Sequence, residues 1–367
     1  MLRKPIARTA LLWIVFAVCV VECGIAQQSQ PRRPAVPVDP VTAIIDAFQT
    51  HALVGLGEGT HGGEQDLAFR VSLIRDPRFA LTINDVVVEM GNSRYQDVID
   101  RFVSGDDVPF EELRQVWENG PVTNVVPDKP VYEAFFRAVR DVNASLPRER
   151  RLRVLLGEPP IDWTTVKTFA DVVEWGDQRD PFAADLIRRE VLERGRRALI
   201  VYGLMHFQRR NERANYETAD WLTGLIERDG TTRLFTVWTV GNAHTDLRSL
   251  QPDVSSWSTP SLALLRGTTL GAMDFASFFT SDGRLGFRDG KIVPIPRNQW
   301  RVLPMEEQFD AVLYLGPPSA MTIAPLALSR CSDERYMKMR LARLELAPGG
   351  DVQANQLRRY CAERAVK

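Results

Sequence analysis

The chain has 367 residues, and its 46 Lys and Arg residues nearly balance its 47 Asp and Glu residues. This near-neutral composition lacks the basic surface expected of a nucleic-acid-binding protein. The length exceeds the usual single-domain size, although an α/β sheet with its flanking helices often forms one unit of this length.

The first 26 residues are typical of a secretory signal peptide. Basic residues precede an apolar run from Leu11 to Val21, and Gly24-Ile25-Ala26 has the small-x-small form that signal peptidase cleaves. The run is too short for a comfortable membrane span, so an uncleaved anchor is the weaker alternative. Glu22 occupies the position where a lipoprotein signal before Cys23 has a small residue. We therefore predict an exported protein, periplasmic or extracellular, with no stable membrane span.

Residues 27–40 are rich in Pro and Gln and have no apolar periodicity, which predicts a disordered linker. A single α/β domain is predicted over residues 41–367. Signal cleavage would leave Cys331 and Cys361 as the remaining cysteines. An even pair in an exported chain predicts one disulfide closing the C-terminal segment 331–361, and two unpaired thiols are the alternative.

Short β-rich runs alternate with amphipathic patterns along the predicted domain. The runs show little polar alternation, as expected for strands that are buried on both faces. This order predicts an α/β fold with a mainly parallel sheet flanked by helices. The predicted strands are His51 to Gly57, Asp85 to Met90, Leu152 to Leu156, Ala198 to Gly203, Leu234 to Val240 and Phe309 to Leu315. The predicted helices include Gln65 to Ile74, Ser93 to Phe102, Val131 to Val142 and Ala183 to Arg194.

The first predicted strand ends in a glycine-rich turn that carries Glu58 and His61, within HALVGLGEGTHGGEQ. A carboxylate and an imidazole at a strand-to-helix turn suit acid/base chemistry, and capping of the following helix is the purely structural interpretation. The turn also fits the G-x-G-x-x-G dinucleotide fingerprint. Glu58 would place a carboxylate beside the bound pyrophosphate, which argues against a dinucleotide.

Polar side chains also follow later strands of the predicted sheet. Ligands of open α/β sheets bind outside the carboxyl ends of the strands. Glu58, Glu89, Glu158 and His206 each lie at or just past such an end, and His244 follows the fifth predicted strand. The sequence therefore predicts a site at this edge, with either His206 or His244 facing it.

Two chemical interpretations of this site stay open. The sequence has no G-x-S-x-G elbow, so direct activation of water is the simpler hydrolytic route. In one interpretation His61 is the base, kept neutral by a helix N-terminus that lowers its pKa. In the other, His61, Glu89 and His206 hold a divalent metal with one open coordination position.

Three segments resemble the superfamily of erythromycin esterase, ChaN and Tiki (TraB-like) proteins: GLGEGTHGGEQ, VVVEMG and RDPFAADLIRREVLERGRRALIVYGLMH. The likeness runs roughly from Val54 to His206 and depends on the order of the motifs. Its residues are Glu58 and His61 of the G-E-x-x-H turn, Glu89 of the second motif, the Arg179–Asp180 pair, and the later strand-end His206. The esterase branch usually has Gly-His-Asn-Ala-His near the last strand, whereas this chain has Gly203-Leu204-Met205-His206.

The resemblance implies a site more clearly than a substrate. The esterase branch hydrolyses a macrolide lactone through histidine-activated water, the Tiki and TraB branch is linked to metal-dependent proteolysis, and the ChaN branch binds haem. We expect an exported hydrolase whose histidine- or metal-activated water attacks an ester, lactone or amide of a small-molecule or peptide substrate. The alternative is a ChaN-like protein that binds haem or a metal without catalysis. The catalytic set implied by the resemblance is Glu58, His61, Glu89, His206, Arg179 and Asp180.

Overall fold

Strands of aliphatic and β-branched residues form the centre of the structure. The strands are β1 (Leu53–Glu58), β2 (Asp85–Asn92), β3 (Arg153–Glu158), β4 (Ala198–Gly203), β5 (Leu234–Val240), β6 (Ser261–Leu264), β7 (Leu285–Arg288), β8 (Lys291–Pro294) and β9 (Ala311–Tyr314). Seven of them form one sheet in the order β3-β2-β4-β1-β5-β9-β6, and β7 pairs with β8. The pairs in the large sheet are parallel except β6 with β9, so the predicted α/β fold is confirmed.

The structure is a computed structural model, and it describes residues 31–209, 221–240, 254, 256–275, 285–288, 291–294, 296 and 302–365. The predicted signal peptide, the linker before residue 31 and His244 lie outside the described residues. None of the helices described is both long and apolar enough to cross a lipid bilayer.

Both faces of the large sheet are covered, which explains the continuous apolar runs. Successive strand residues point to opposite faces. Val54 and Leu56 of β1 belong to one hydrophobic cluster, and Leu53 belongs to the cluster on the other side. Ile200 of β4 joins the second cluster, while Val201 joins the first. All residues of β1, β2 and β4 are buried.

Helices connect the strands and cover the sheet. They are α1 (Pro40–Ala47), α2 (Glu64–Arg75), α3 (Pro77–Thr82), α4 (Gln96–Ser104), α5 (Phe110–Leu113), α6 (Gln115–Glu118), α7 (Pro130–Ala144), α8 (Phe169–Asp177), α9 (Arg179–Ile187), α10 (Leu222–Ile226), α11 (Met305–Gln308), α12 (Leu328–Cys331), α13 (Glu334–Leu346) and α14 (Gly350–Ala365). The helix predicted from Ala183 begins earlier, at Arg179, because Pro181 is compatible with a first helical turn. It ends at Ile187 and continues as a π turn over Arg188–Leu192.

Ordered contacts begin earlier than the predicted linker allows. The Val38 N–H donates to the Leu262 carbonyl at 2.8 Å, and the Leu262 N–H donates back at 3.1 Å. Ala35 is buried, and Arg33 pairs with Thr268. Since β6 is an edge strand with unpaired backbone groups, the segment after Arg33 covers that edge. These contacts lie within residues 27–40, for which a linker is predicted.

The C-terminal helices form a small unit with a core of their own. A disulfide joins Cys331 of α12 to Cys361 of α14, with the two Cα atoms 5.2 Å apart. Tyr336 and Leu344 of α13 are buried in the same cluster. Tyr336 and Arg340 of α13 bond Asp128, which lies between α6 and α7 in a segment that borders the candidate site described next.

Candidate active site

The predicted polar residues converge at the carboxyl ends of four neighbouring strands. Glu58 is the last residue of β1, and Glu158 is the last residue of β3. His206 lies on the 3-10 turn Leu204–Phe207 that follows β4. Glu89 lies inside β2, where the register with β3 shifts between Val88 and Asn92. Sheet topology therefore brings together residues that are far apart in the chain.

Glu58 and His61 form a hydrogen-bonded pair across the turn after β1. His61 Nδ1 is 2.7 Å from Glu58 Oε2, and Arg70 Nη1 of α2 is 2.7 Å from Glu58 Oε1. The Glu58 side chain is 4% exposed and that of His61 is 36% exposed. The N-cap of α2 is Gly63, with no side-chain capping hydrogen bond, so the capping interpretation of Glu58 and His61 is not what the structure shows.

Glu89 is the centre of the site. Arg179 Nη2 donates to Glu89 Oε1 at 2.6 Å, and the Gly203 N–H donates to Oε2 at 2.5 Å. His206 Nε2 lies 3.5 Å from Oε1, and His61 Nε2 lies 3.9 Å from the same oxygen. One carboxylate therefore lies close to four groups, from α9, the end of β4, the 3-10 turn after β4 and the turn after β1.

Gly203 makes the approach of His61 to Glu89 possible. β4 lies between β1 and β2, and neighbouring strands are about 4.8 Å apart, so these residues start roughly two strand spacings from each other. A Cβ on Gly203 would lie 2.9 Å from His61 Cε1 and 3.3 Å from Glu89 Oε2. Because Gly203 has no side chain, the end of β4 leaves the space in which His61 and Glu89 approach each other.

The two residues of the Arg179–Asp180 pair bond different partners: Arg179 bonds Glu89 and Glu158, and Asp180 bonds His206. Asp180 Oδ1 is 2.5 Å from His206 Nδ1, which fixes one side of that ring. The ring packs edge-to-face with Tyr202 and Trp221, with centroids 5.3 Å and 5.8 Å away. His206 thus lies beside Glu89, among the residues that the resemblance implies for the site. His244 lies outside the described residues.

Arg179 joins Glu89 to a second buried carboxylate, Glu158. The guanidinium Nε is 2.8 Å from Glu158 Oε1 and 2.9 Å from Oε2, and Nη2 reaches both glutamates. Bidentate pairing of this kind fixes both position and orientation. Glu158 is one of the strand-end residues from which the site was predicted, but it is not in the predicted catalytic set. No local sequence signal identified Arg179 as its partner.

The two imidazoles are protonated near neutral pH. Burial acts to lower the pKa of His61, but the Glu89 charge and the hydrogen bond to Glu58 outweigh it and raise that pKa to about 9. Burial likewise acts to lower the pKa of His206, and Glu89 and Asp180 raise it to about 9. The prediction that a helix N-terminus lowers the His61 pKa is therefore wrong, because carboxylates from two strands dominate.

Burial favours protonation of Glu89, yet the imidazolium groups and Arg179 hold its pKa well below the ordinary value. Glu58 follows the same pattern: burial acts to raise its pKa, and Arg70 and His61 lower it. Both glutamates are therefore carboxylates at neutral pH. Each of these two acids faces at least one cation.

The donor set fits a divalent metal poorly. Among the described residues, ligand atoms of Glu58, His61 and Glu89 lie within 4.8 Å of one another, and His206 is not in this group. This group shares His61 and Glu89 with the predicted set of His61, Glu89 and His206. Both carboxylates already carry a guanidinium, and a metal ligand must be a deprotonated imidazole. A divalent ion would have to displace or compete with these positive charges.

A small cavity lies beside the carboxylates. Its volume is about 10 Å³, enough for roughly one water molecule. Glu58, Arg70, Glu89 and Tyr132 contribute its polar lining. The Tyr132 hydroxyl donates to Glu58 Oε2 at 3.4 Å.

No protein-family model and no curated protein matches the sequence. The structure of a succinoglycan biosynthesis protein is similar to this chain, with 10% identity and a TM-score of 0.52, over 80% of this chain and 96% of that one. An erythromycin esterase mutant in its open conformation has 11% identity and a TM-score of 0.48, over 78% and 94%. ChaN of Campylobacter jejuni, in a structure of cofacial haem binding, has 13% identity and a TM-score of 0.35, over 57% and 89%. The likeness to the succinoglycan biosynthesis protein shows a shared fold.

Proposed function

We propose that the protein is an exported hydrolase in which His61 activates water for attack on the carbonyl carbon of an ester, lactone or amide. The observation that carries this proposal is the Glu58–His61 pair. One ring nitrogen is held by a buried carboxylate at 2.7 Å, while the imidazole remains 36% exposed at the carboxyl ends of the strands. A base must be both oriented and accessible to reach a substrate-bound water.

In the proposed reaction, neutral His61 accepts a proton on Nε2 as the water oxygen forms a bond to the carbonyl carbon. Nδ1 stays bonded to Glu58, so this carboxylate and Glu89 stabilise the imidazolium. The proton then passes to the leaving oxygen or nitrogen as the carbonyl–heteroatom bond breaks. The products are an acid and an alcohol or amine. Because the resting His61 pKa is raised to about 9, the reactive neutral form increases as the pH rises.

The other charged residues orient this machinery. Arg179 forms ion pairs with the carboxylates of Glu89 and Glu158, so its guanidinium is already paired within the protein. Asp180 orients His206, whose Nε2 faces Glu89. In the proposal both cations keep Glu89 ionised beside His61, so that the imidazolium formed during the reaction meets a fixed negative charge.

Export is supported by the signal-peptide pattern of the first 26 residues, and the substrate is proposed to be a small molecule or a peptide. N-terminal sequencing of the protein recovered from the producing cells tests the first point. A mature chain that starts near Gln27 supports export, and an intact Met1 in the cytosolic fraction contradicts it.

Hydrolysis is tested with a panel of chromogenic esters, lactones and anilides. On any substrate that the protein turns over, His61→Ala should lower kcat by at least about 100-fold, the usual contribution of a general base. His51→Ala is the matched control, because His51 precedes β1 at the opposite end of the strand and contacts Thr50 and the Ala47 carbonyl. Full activity of folded His61→Ala would show that the base is assigned wrongly.

The same purified protein distinguishes the non-catalytic alternative. A hydrolase of the proposed kind keeps its activity after treatment with a chelator and needs no haem. Stoichiometric haem in the absorption spectrum, or stoichiometric metal by elemental analysis, together with no turnover on the panel, would favour a binding protein instead.

A further inference from the structure

Lys129 is a cation beside the candidate site that forms no close ion pair with a described residue; burial lowers its pKa, and the charge of Glu58 acts against this from a longer distance. Its Nζ donates to the His61 backbone carbonyl at 3.2 Å. The other cations around the turn all face carboxylates: Arg70 faces Glu58, Arg179 faces Glu89 and Glu158, His61 faces Glu58, and His206 faces Asp180. Lys129 is half-buried. An ammonium has three N–H donors, so donors remain after the bond to the carbonyl.

The position of this lysine is fixed from both sides. The preceding residue, Asp128, has a fully buried side chain that bonds Arg340 at 2.5 Å and Tyr336 at 2.5 Å. The following residue, Pro130, begins α7. Lys129 is therefore held at a defined point of the backbone, unlike a lysine on an exposed loop.

Gly62 provides the space that the lysine side chain occupies. A Cβ at Gly62 would lie 2.2 Å from Lys129 Cδ, and Gly62 has a φ of 84°. The positive φ favours glycine, the residue that tolerates this backbone region most easily. A Cβ at this position would displace the flexible end of the lysine side chain. The side chain of Lys129 therefore packs against the turn that carries His61.

An ammonium in this position is suited to a negatively charged oxygen. Partial burial removes some of its water, and a single carbonyl replaces only part of that solvation. Attack of water on an ester places negative charge on the carbonyl oxygen, and fixed cations close to that oxygen lower the barrier. A carboxylate already present on the substrate offers the same chemistry in the ground state.

We propose that Lys129 binds an anionic oxygen of the substrate beside His61, which names a further residue for the proposed hydrolysis and rests on that function. The oxygen is either the oxyanion that develops on the attacked carbonyl or a carboxylate of the substrate. Ester pairs that differ in one carboxylate separate these two sources.

The test compares Lys129→Met and Lys129→Arg with the natural chain on a neutral ester and on the same ester carrying a carboxylate. Lys167→Met is the matched control, because Lys167 Nζ also donates to a backbone carbonyl, that of Thr164 at 2.7 Å, on an exposed loop. If Lys129 binds the oxyanion, Lys129→Met lowers kcat by about 10- to 100-fold on both esters. If it binds a substrate carboxylate, KM rises about 10-fold or more on the charged ester alone. Lys129→Arg keeps the positive charge, so its kcat on both esters, or its KM on the charged ester, should change less than in Lys129→Met.

Kinetics for Lys129→Met within twofold of Lys167→Met on both esters would overturn the inference. Thermal unfolding of each variant confirms that the comparison uses folded protein, and Lys129→Gln serves if the methionine variant is unstable. Loss of activity in His61→Ala alongside an unaffected Lys129→Met rejects this inference alone. Full activity of His61→Ala rejects the proposed function itself.

Discussion

Removal of Arg179 should destabilise the protein because two buried carboxylates would lose their shared cation. The side chains of Glu89 and Glu158 are each 3% exposed, and Arg179 bonds both. Removing one partner of a buried ion pair lowers the free energy of unfolding by about 3–5 kcal/mol, mainly because the remaining charge stays buried without a partner. With two carboxylates affected, we expect Arg179→Met to lose about 4–5 kcal/mol of unfolding free energy near pH 8.

The loss should shrink as the pH falls. Burial raises the pKa of Glu158 even with Arg179 present, and without Arg179 that pKa rises further. A carboxyl whose folded pKa lies above its unfolded value regains stability as the pH drops through the folded pKa, because the folded state binds the proton more tightly. The difference between variant and natural chain should therefore be smaller at pH 5 than at pH 8.

Urea unfolding at both pH values measures this difference. Arg188→Met is the matched control, since Arg188 pairs with Asp185 on the surface, with side chains 54% and 51% exposed. Exposed pairs of this kind contribute about 0.2–1 kcal/mol. A loss in Arg179→Met no larger than in Arg188→Met, or one that is the same at pH 5 and pH 8, would refute the reasoning.

Two further predictions concern catalysis by the proposed hydrolase. The value of kcat/KM should rise with pH up to about 9, since a pKa of about 9 leaves His61 largely protonated at neutral pH; a profile that is flat from pH 6 to 9 contradicts the base assignment. Gly203→Ala should lower kcat/KM by about 10-fold or more, because its Cβ would lie 2.9 Å from His61 Cε1, and small displacements of catalytic groups are costly. Gly224→Ala, where a Cβ meets no atom within 4 Å, is the control, and equal activities would show that the gap at Gly203 is unimportant.

The central strands could be predicted from the sequence because burial on both faces leaves a continuous apolar run. Ala198–Gly203 and Leu234–Val240 are found with the bounds that their residues predicted. β6 was not predicted, because Ser261–Leu264 is short and Leu264 is 52% exposed. Such an edge strand depends on its neighbours more than on its own composition.

The candidate site was predictable where its residues are close in sequence or match strand ends. Glu58 and His61 belong to one turn, so their pairing has a local signal. The contributions of Arg70, Lys129 and Gly203 have none, because each depends on how separate elements pack. The predicted direction of the His61 pKa shift was wrong for the same reason. The charge that raises this pKa most, that of Glu89, belongs to β2, and β4 lies between β2 and the turn that carries His61.

The place of β4 in the sheet has a consequence for how the site is assembled. β1 and β2 are neighbours in the chain, yet each hydrogen-bonds to β4 and neither pairs with the other. Their functional groups can take up their mutual spacing only after residues 198–203 have inserted between them. The spacing of the two functional groups therefore depends on β4, and the glycine at the end of this strand leaves the room in which they meet.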